Sequence, residues 1–400
     1  MNNQVKLLKN AALIAGLAFL ACSTKNSTAQ TETVNTDTVN IKYTVEEAPE
    51  WTNLFIRQSG WFGSDGIYAI PQDGKRYNSP NAKSNNMFIF SDTMIGEIVN
   101  GELKERKMVN NTVAYIKGSE PKKENITFYW DKDAAGKPKS MFIPNTPSTK
   151  PGDYYWLGDA YYNPVLKNTY IIAYRMHTMD PKDDWSFREM GTNLIIIPKG
   201  SKPPFKDQRQ VETPLHFDTH ENGGFGAGIF VNTKEAGAPK PDGYVYIYGN
   251  GGLKGKGLLA ARVLEKDFEN FSAWRFYNGK EWVADMKESA ALTTNVSNEL
   301  SVSPLPDGRY ALVFELGGMG TTVAMRIGLS PVGPWGPVKE LYHSKPANSK
   351  FIHYNAKAHP SLSAPGELLV SYNQNSWDFH EQLAKFPNLY HPFFLKVKFE

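Results

Sequence analysis

From about residue 50 onward the chain keeps one beat: a short apolar and aromatic run, a turn, and another such run, four to a unit. The first unit reads DGIYAIP, MFIFSDT, NNTVAYI and ITFYW, and the second DAYYNPV, TYIIAYRM, TNLIIIP and VETPLHF. The third reads GAGIFVN, YVYIYGN, GLLAARVL and WRFYNG, and the fourth ELSVSPL, YALVFEL, TTVAMRIGL and VKELYH. The last holds only AKAHPSL, ELLVSYN and FFLKVKF. Runs of four to eight residues rich in β-branched and aromatic side chains, separated by Gly, Pro, Asn and Asp, are strands; helical periodicity is nearly absent.

A final unit short by one strand is what a closed ring requires when the N-terminal segment, IKYTV or WTNLFI, supplies the missing piece. Closure removes the unpaired sheet edges that invite aggregation. The reading is therefore all-β, a five-bladed β-propeller over residues 49–400 closed by the N-terminal segment, with units of roughly sixty to seventy residues. The competing arrangement, a two-sheet sandwich plus a small β domain, has no need of a short last unit. The 20 Tyr, 22 Phe and 9 Trp are mostly accounted for by packing between blades, and 33 Gly and 26 Pro suit many turns. A net charge of +3 without a dense Lys/Arg stripe gives no electrostatic case for nucleic acid.

The N-terminus carries Lys6 and Lys9, then the apolar run AALIAGLAFLA, which is short for a bilayer span, and then Cys22, the single cysteine of the chain. This order resembles a bacterial lipoprotein signal over residues 1–21, in which the cysteine is acylated and becomes the first residue. The alternative is ordinary cleavage near Ser27-Thr28-Ala29 and secretion. Residues 22–48 are rich in Ser, Thr and Asn and read as a flexible tether. The expected location is the cell envelope, lipid-anchored to the outer membrane, and the expected state is a monomer that meets membrane only through its anchor.

In a ring of blades the first strand of each unit lines the central channel. The polar residues entering those strands are Asp65, then Asp159 in WLGDAYY, His220 and Glu221 in HENGG, Asn298 and Glu299 in NELSV, and His353, Asn355 and His359 in HYNAKAHP. Asp92 ends the second strand of the first unit and lies beside Asp65 if the two strands pair. Carboxylates are seldom desolvated without cause. Two neighbouring ones suit cleavage of a glycosidic bond, in which one protonates the leaving oxygen while the other attacks the anomeric carbon or deprotonates water. Each also has a plainer reading: Asp65 and Asp159 as turn residues beside glycine, Asp92 as a hairpin-end acceptor, Glu299 as a holder of backbone amides, and His359 as a structural group before Pro360. No HExxH spacing, GxSxG elbow or phosphate-binding glycine loop is present.

The stretches SDGIYAIPQDG, MFIFSDTMIG, NELSVSPLPDGRYALVFE and GLSPVGPWGPVKELY resemble the five-bladed propeller glycosidase-like superfamily that includes glycoside hydrolase families 43, 32 and 117. They are more closely similar to the domain-of-unknown-function families numbered 4185 and 5005. The resemblance spans most of residues 55–400, and Asp65–Gly66, Phe90–Thr93 and Ser330–Trp335 are its most specific parts. It implies one of two assignments: Asp65 with Asp92, or the family-43 pattern of Asp65 as base, Asp159 as tuning residue and Glu221 as general acid. Glu221 departs from that second pattern, lying in HENGG ahead of a glycine-rich strand. The preferred catalytic pair is Asp65 and Asp92, with Asp159, Glu221, Glu299, Trp61, Trp156, Arg175 and His359 as substrate-binding residues.

The expected function is hydrolysis of glycosidic bonds in a polysaccharide or its oligosaccharides. A propeller that only captures glycans is the alternative, and a lyase or transferase on the same scaffold a third. No metal spacing is present and no cofactor is expected, although a calcium ion in the central channel is compatible with the architecture.

Overall fold

A computed structural model describes residues 36–77, 84–183, 185–217, 223–251 and 256–400. It is all-β apart from the short helices Pro49–Thr52 and Phe379–Lys385 and several 3-10 turns. No helix among the described residues is long and apolar enough to cross a membrane.

The strand runs assemble as antiparallel sheets in chain order. Tyr68–Pro71, Asn85–Phe90, Thr112–Lys117 and Ile126–Tyr129 form the first. Tyr154–Asn163, Asn168–Thr178, Phe187–Pro198 and Arg209–Glu212 form the second. The third is built on Gly223–Asn232, Tyr244–Gly251, Gly257–Leu264 and Arg275–Tyr277, with short additions at each edge. Leu300–Pro304, Tyr310–Glu315, Thr322–Gly328 and Lys339–His343 make the fourth. The last takes Phe351–Ala358, Glu367–Ser376 and Pro392–Phe399 and is completed by Tyr43–Glu47, paired in register from Tyr43 opposite Phe399 to Glu47 opposite Leu395.

The completing strand thus comes from within residues 22–48, which the sequence reading assigned to a tether. Residues 43–47 belong to the sheet because alternating burial lets Tyr43 and Val45 pack on the cluster around Leu395 and Val397. WTNLFI, the other candidate, begins with the last residues of a helical turn whose Trp51 packs against Phe394.

Alternation along each strand puts apolar residues between neighbouring sheets. Ile70, Met87, Ile89 and Val113 of the first sheet meet Tyr155, Ala160, Ile171 and Ile195 of the second. Val313, Val323 and Met325 of the fourth meet Ala356, Val370 and Val397 of the last. Each such side chain contributes roughly 1.5–3 kcal/mol on burial, so cohesion lies between sheets and the innermost strands are free to carry polar groups.

The innermost strands touch in succession: Tyr68–Pro71 with Tyr154–Asn163, that strand with Gly223–Asn232, then Leu300–Pro304, then Phe351–Ala358. The turn Pro360–Leu362 that follows contacts Tyr68–Pro71 again. Three of these strands slip register in their middles, at Leu157/Ala160, Phe225/Gly228 and Tyr354/Lys357. Bulges re-aim side chains, and these slips fall at Asp159 and Asn355 among others.

One element departs from the sequence reading. Residues 94–109, between the runs MFIFSDT and NNTVAYI, belong to no strand in that reading, yet Thr93–Val99 and Glu102–Val109 are two further strands, which join Ser59–Ser64 in a separate three-stranded sheet. The first hairpin therefore runs through two sheets.

Candidate active site: a carboxylate pair at a broken hairpin

The first hairpin changes sheets at its midpoint. Below the change Tyr68 pairs with Ile89, and above it Ser64 pairs with Thr93. The residues between, Asp65–Ile67 and Ser91–Asp92, face each other across the break. The Asp65 amide donates to the Asp92 carbonyl at 3.2 Å, and the Ser91 amide donates to the Asp65 carbonyl at 3.0 Å. Gly66 makes the bend possible: its φ is +62°, and a Cβ there would lie 2.6 Å from Ser91 Oγ. The aspartates thus sit opposite one another at the break, just past the ends of Ser59–Ser64 and Asn85–Phe90.

Neighbouring segments fix the surroundings of each carboxyl. Ser91 Oγ accepts from the Leu157 amide at 2.9 Å, which draws Trp156 to Asp92. Gly63 has no room for a Cβ, which would sit 2.1 Å from the Tyr390 carbonyl oxygen; this close approach brings Tyr390 to Asp65. Tyr354 Oη donates to Asp65 Oδ2 at 2.7 Å, and Asn375 Nδ2 in turn donates to Tyr354 Oη at 3.3 Å. Asp92 Oδ1 accepts from Asn110 Nδ2 at 3.1 Å, and the Trp156 indole also faces it.

The two environments differ. Burial pushes both carboxyls up. For Asp65 this is opposed by the hydroxyls of Tyr354 and Tyr390 and by the Lys357 ammonium. Asp92 has only the Asn110 amide and the Trp156 indole on its side, and the charge of Asp65 against it, so it is pushed up to about 7. Asp65 thus has more groups favouring its charged form than Asp92, which also carries the unfavourable charge of its neighbour. Both residues remain partly open to solvent.

Beneath the pair lies a buried polar column. Asn355, with φ +61° at the bulge of its strand, donates from Nδ2 to Glu299 Oε1 at 2.8 Å. Lys357, fully buried, pairs with Glu299 Oε2 at 2.5 Å, donates to the Asn355 carbonyl at 2.9 Å and lies 4.7 Å from the centroid of the Tyr68 ring. Burial lifts Glu299 to about 7 despite Lys357, with Asp65 and Asp159 adding to the rise. Deeper still, Asp159 pairs with Arg76 at 3.3 Å and accepts from the amides of Ala160 and Ile229 at 2.7 and 2.6 Å.

Several residues named from sequence are thereby reassigned. Asp159 is buried and its carboxylate fully engaged, so it holds the second and third sheets together and does not reach a substrate. His359, also buried, is tied through Nε2 to Ser371 Oγ at 2.7 Å and lines, with Arg76 and Asp159, an internal cavity of about 10 Å³. Glu299 is largely buried and its carboxyl is taken up by Lys357 and Asn355. Trp61 is only 1% exposed, stacked 4.5 Å from Phe128 and against Phe90 and Phe55; its face is occupied by core. Arg175 is held by Asp153 at 2.7 Å and by the carbonyls of Ser148 and Met190. It lines a separate recess of about 390 Å³ with Glu189, Glu212 and His216. Trp156 does stand beside Asp92, partly exposed. Glu221, His220 and Cys22 lie outside the described residues.

Tyr354, Tyr390, Asn110 and Lys357 escaped the sequence reading. Tyr354 and Lys357 flank Asn355 and His359 in HYNAKAHP, so the polar cluster was visible there. Nothing in PNLYHP or MVNNTV marks Tyr390 or Asn110 as neighbours of the pair. Among the described residues no group of three or more His, Cys, Asp or Glu side chains is placed to hold a metal.

A protein from Bacteroides ovatus, provisionally named a hydrolase, is 19% identical with a TM-score of 0.67, over 93% of this chain and 97% of that one. A family-43 β-xylosidase/α-arabinofuranosidase from a compost microbial metagenome, in complex with xylotriose and calcium-free, is 11% identical with a TM-score of 0.44, over 90% of this chain and 94% of its own. A protein of unknown function from Dyadobacter fermentans is 10% identical with a TM-score of 0.43, over 86% of this chain and 96% of that one. No curated protein sequence matches. The family model described as a domain of unknown function (DUF5005) matches residues 49–399, and the chain belongs to that family.

Proposed function

We propose that this protein is a glycoside hydrolase in which Asp92 is the general acid and Asp65 the nucleophile or base. The observation that carries the reading is the facing pair itself: two carboxyls opposite each other across a hairpin break, one supported as an anion, the other held protonated near neutral pH. In the reaction, Asp92 passes its proton to the glycosidic oxygen as the bond from that oxygen to the anomeric carbon breaks. Asp65 either forms a bond to that carbon, later released by water, or takes a proton from the attacking water. Tyr354 and Tyr390 hold Asp65 in place, and Trp156 offers a ring beside the acid.

The same reading takes the five sheets that follow the repeated units as the blades of a five-bladed propeller closed by Tyr43–Glu47. The succession of innermost-strand contacts and the return through Pro360–Leu362 support it. It also takes the protein as exported and anchored through acylated Cys22, which labelling of the wild type and Cys22→Ser with an alkyne fatty acid tests: label on both, or on neither, removes the anchor.

The test of activity is release of reducing ends from plant, algal and microbial glycans by the wild type, Asp65→Asn and Asp92→Asn. Cleavage of at least one glycan by the wild type, with a loss of roughly a hundredfold or more in each variant, is expected. If both variants keep wild-type rates on every cleaved glycan, the catalytic assignment is wrong. Retention of a glycan without cleavage by any form identifies a capture protein instead.

A further inference from the structure

Just past the strand Glu367–Ser376, and along the second sheet, stand aromatic rings that no core absorbs. Trp156, beside Asp92, packs edge-on to Phe187 with centroids 4.6 Å apart. Phe187 leads to Trp185 at 6.4 Å, and Trp185 to Trp377 at 5.0 Å. None of these four rings belongs to a hydrophobic cluster between the sheets. Trp156, Phe187 and Trp185 are partly exposed, and Trp377 is 52% exposed.

The run is built, not incidental. Trp185 Nε1 donates to the Trp377 carbonyl at 3.3 Å, joining two segments far apart in sequence. The Trp185 amide is held by Asp183 Oδ1 at 2.9 Å, and the Trp377 amide by the Lys350 carbonyl at 3.1 Å. Ordering two tryptophans at the surface costs conformational entropy and leaves apolar area in water, so such a patch marks an interaction site.

Two independent paths tie it to the carboxylates. One runs from Trp185 through Phe187 and Trp156 to Asp92. The other runs from Trp377 back two residues to Asn375, whose amide donates to Tyr354 Oη, the donor to Asp65. The aromatic run therefore leads to the acid pair from both of its ends.

We infer that Trp156, Phe187, Trp185 and Trp377 form a run of aromatic subsites for the glycosyl units of a chain extending beyond the bond at Asp65 and Asp92, so that the preferred ligand is a longer oligosaccharide or polysaccharide. This rests on the glycan reading above and deepens it. The C–H faces of sugar rings stack on flat aromatic faces, while the hydroxyls at their edges stay in water, which suits rings that are only half exposed. Stacking tolerates varied sugars, so the run selects for length more than identity.

The experiment uses the full mature chain as wild type, Trp377→Ala and Trp185→Ala, with xylo-, arabino-, galacto- and agaro-oligosaccharides from dimer to hexamer. Binding is read on immobilised glycans, and kcat/KM on soluble ones. The expected result is wild-type binding that tightens with length, and a roughly tenfold loss on the hexamer in either variant, with the dimer unaffected. Equal binding by variant and wild type at every length overturns the inference, as does an equal loss on dimer and hexamer. A variant that changes the sedimentation of the protein instead shows that the rings cover a second copy, and also overturns it. Length-dependent binding without cleavage by any form retires the hydrolase reading and leaves the aromatic run standing.

Discussion

Replacing Asn110 by Ala removes the one side-chain amide that favours the charged form of Asp92. The Asn110 Nδ2 bond to Asp92 Oδ1 is 3.1 Å long, whereas the Asn110 backbone amide is held separately by Ser140 Oγ at 2.9 Å, so the local chain should survive the change. A hydrogen bond to a charged group contributes about 1.5 kcal/mol or more, and one pKa unit corresponds to about 1.4 kcal/mol. Because Asp92 is only half buried and water can partly replace the amide, the shift should be about 0.5–1 unit upward from about 7. If Asp92 is the general acid, the alkaline limb of kcat/KM against pH moves up by that amount, since the protonated form persists to higher pH. The same shift must appear in stability. Asp92 has a folded pKa above its unfolded one, so its contribution is complete below the unfolded value and is lost as pH rises through the folded value. The variant keeps its proton longer than the wild type, and the extra loss, about 0.7–1.4 kcal/mol, accrues between about pH 7 and 8 and is absent at pH 5. Denaturant unfolding at pH 5 and 8.5 beside the pH–rate profile checks both. A limb that stays put or moves to lower pH would refute Asp92 as the proton donor.

Asp159→Asn leaves Arg76 buried without its partner and should cost about 3–5 kcal/mol in chemical denaturation, while kcat of the folded fraction stays within about twofold; a selective loss of kcat would return Asp159 to the catalytic set. Glu315 is buried with neither carboxyl oxygen in a hydrogen bond of ordinary geometry, and burial lifts it to about 8. Wild-type stability should therefore fall by on the order of 3–5 kcal/mol relative to Glu315→Gln as pH rises from about 4.5 through about 8, and parallel pH–stability curves would contradict this. Asp65 and Asp92 lie opposite each other at the break between the Ser64–Thr93 and Tyr68–Ile89 pairs, close enough for the charge of Asp65 to act on Asp92. With Asp65 as the nucleophile, proton NMR of the first-formed product should show retention, and inversion would make Asp65 the base that activates water.

Most strand runs and the shortfall in the last unit were legible because two-residue alternation is a local property of the chain. The pairing of Asp65 with Asp92 was legible for a similar reason: the two stretches that carry them are consecutive and antiparallel. What failed locally was the extent of the hairpin. TMIGEIV and ELKERKMV are strands of an added sheet, but the second is largely exposed and reads as a polar loop. Trp61 looked available because it stands near Asp65 in sequence, yet alternation turns it to the core side of its strand against Phe128. Arg175 and Asp159 carried the right charges, but the partners that occupy them, Asp153 and Arg76, come from other strands.

The sequence by itself determined the all-β class, the strand beat and the placement of two carboxylates on neighbouring strands, since each depends on residues close along the chain. Only the tertiary structure decided which carboxyl keeps a proton, which tryptophan is open, and that Tyr354, Tyr390 and Lys357 converge on Asp65 from almost three hundred residues away. Desolvation and Coulomb interaction depend on distance in space, and the folded sheets set that distance independently of position along the chain.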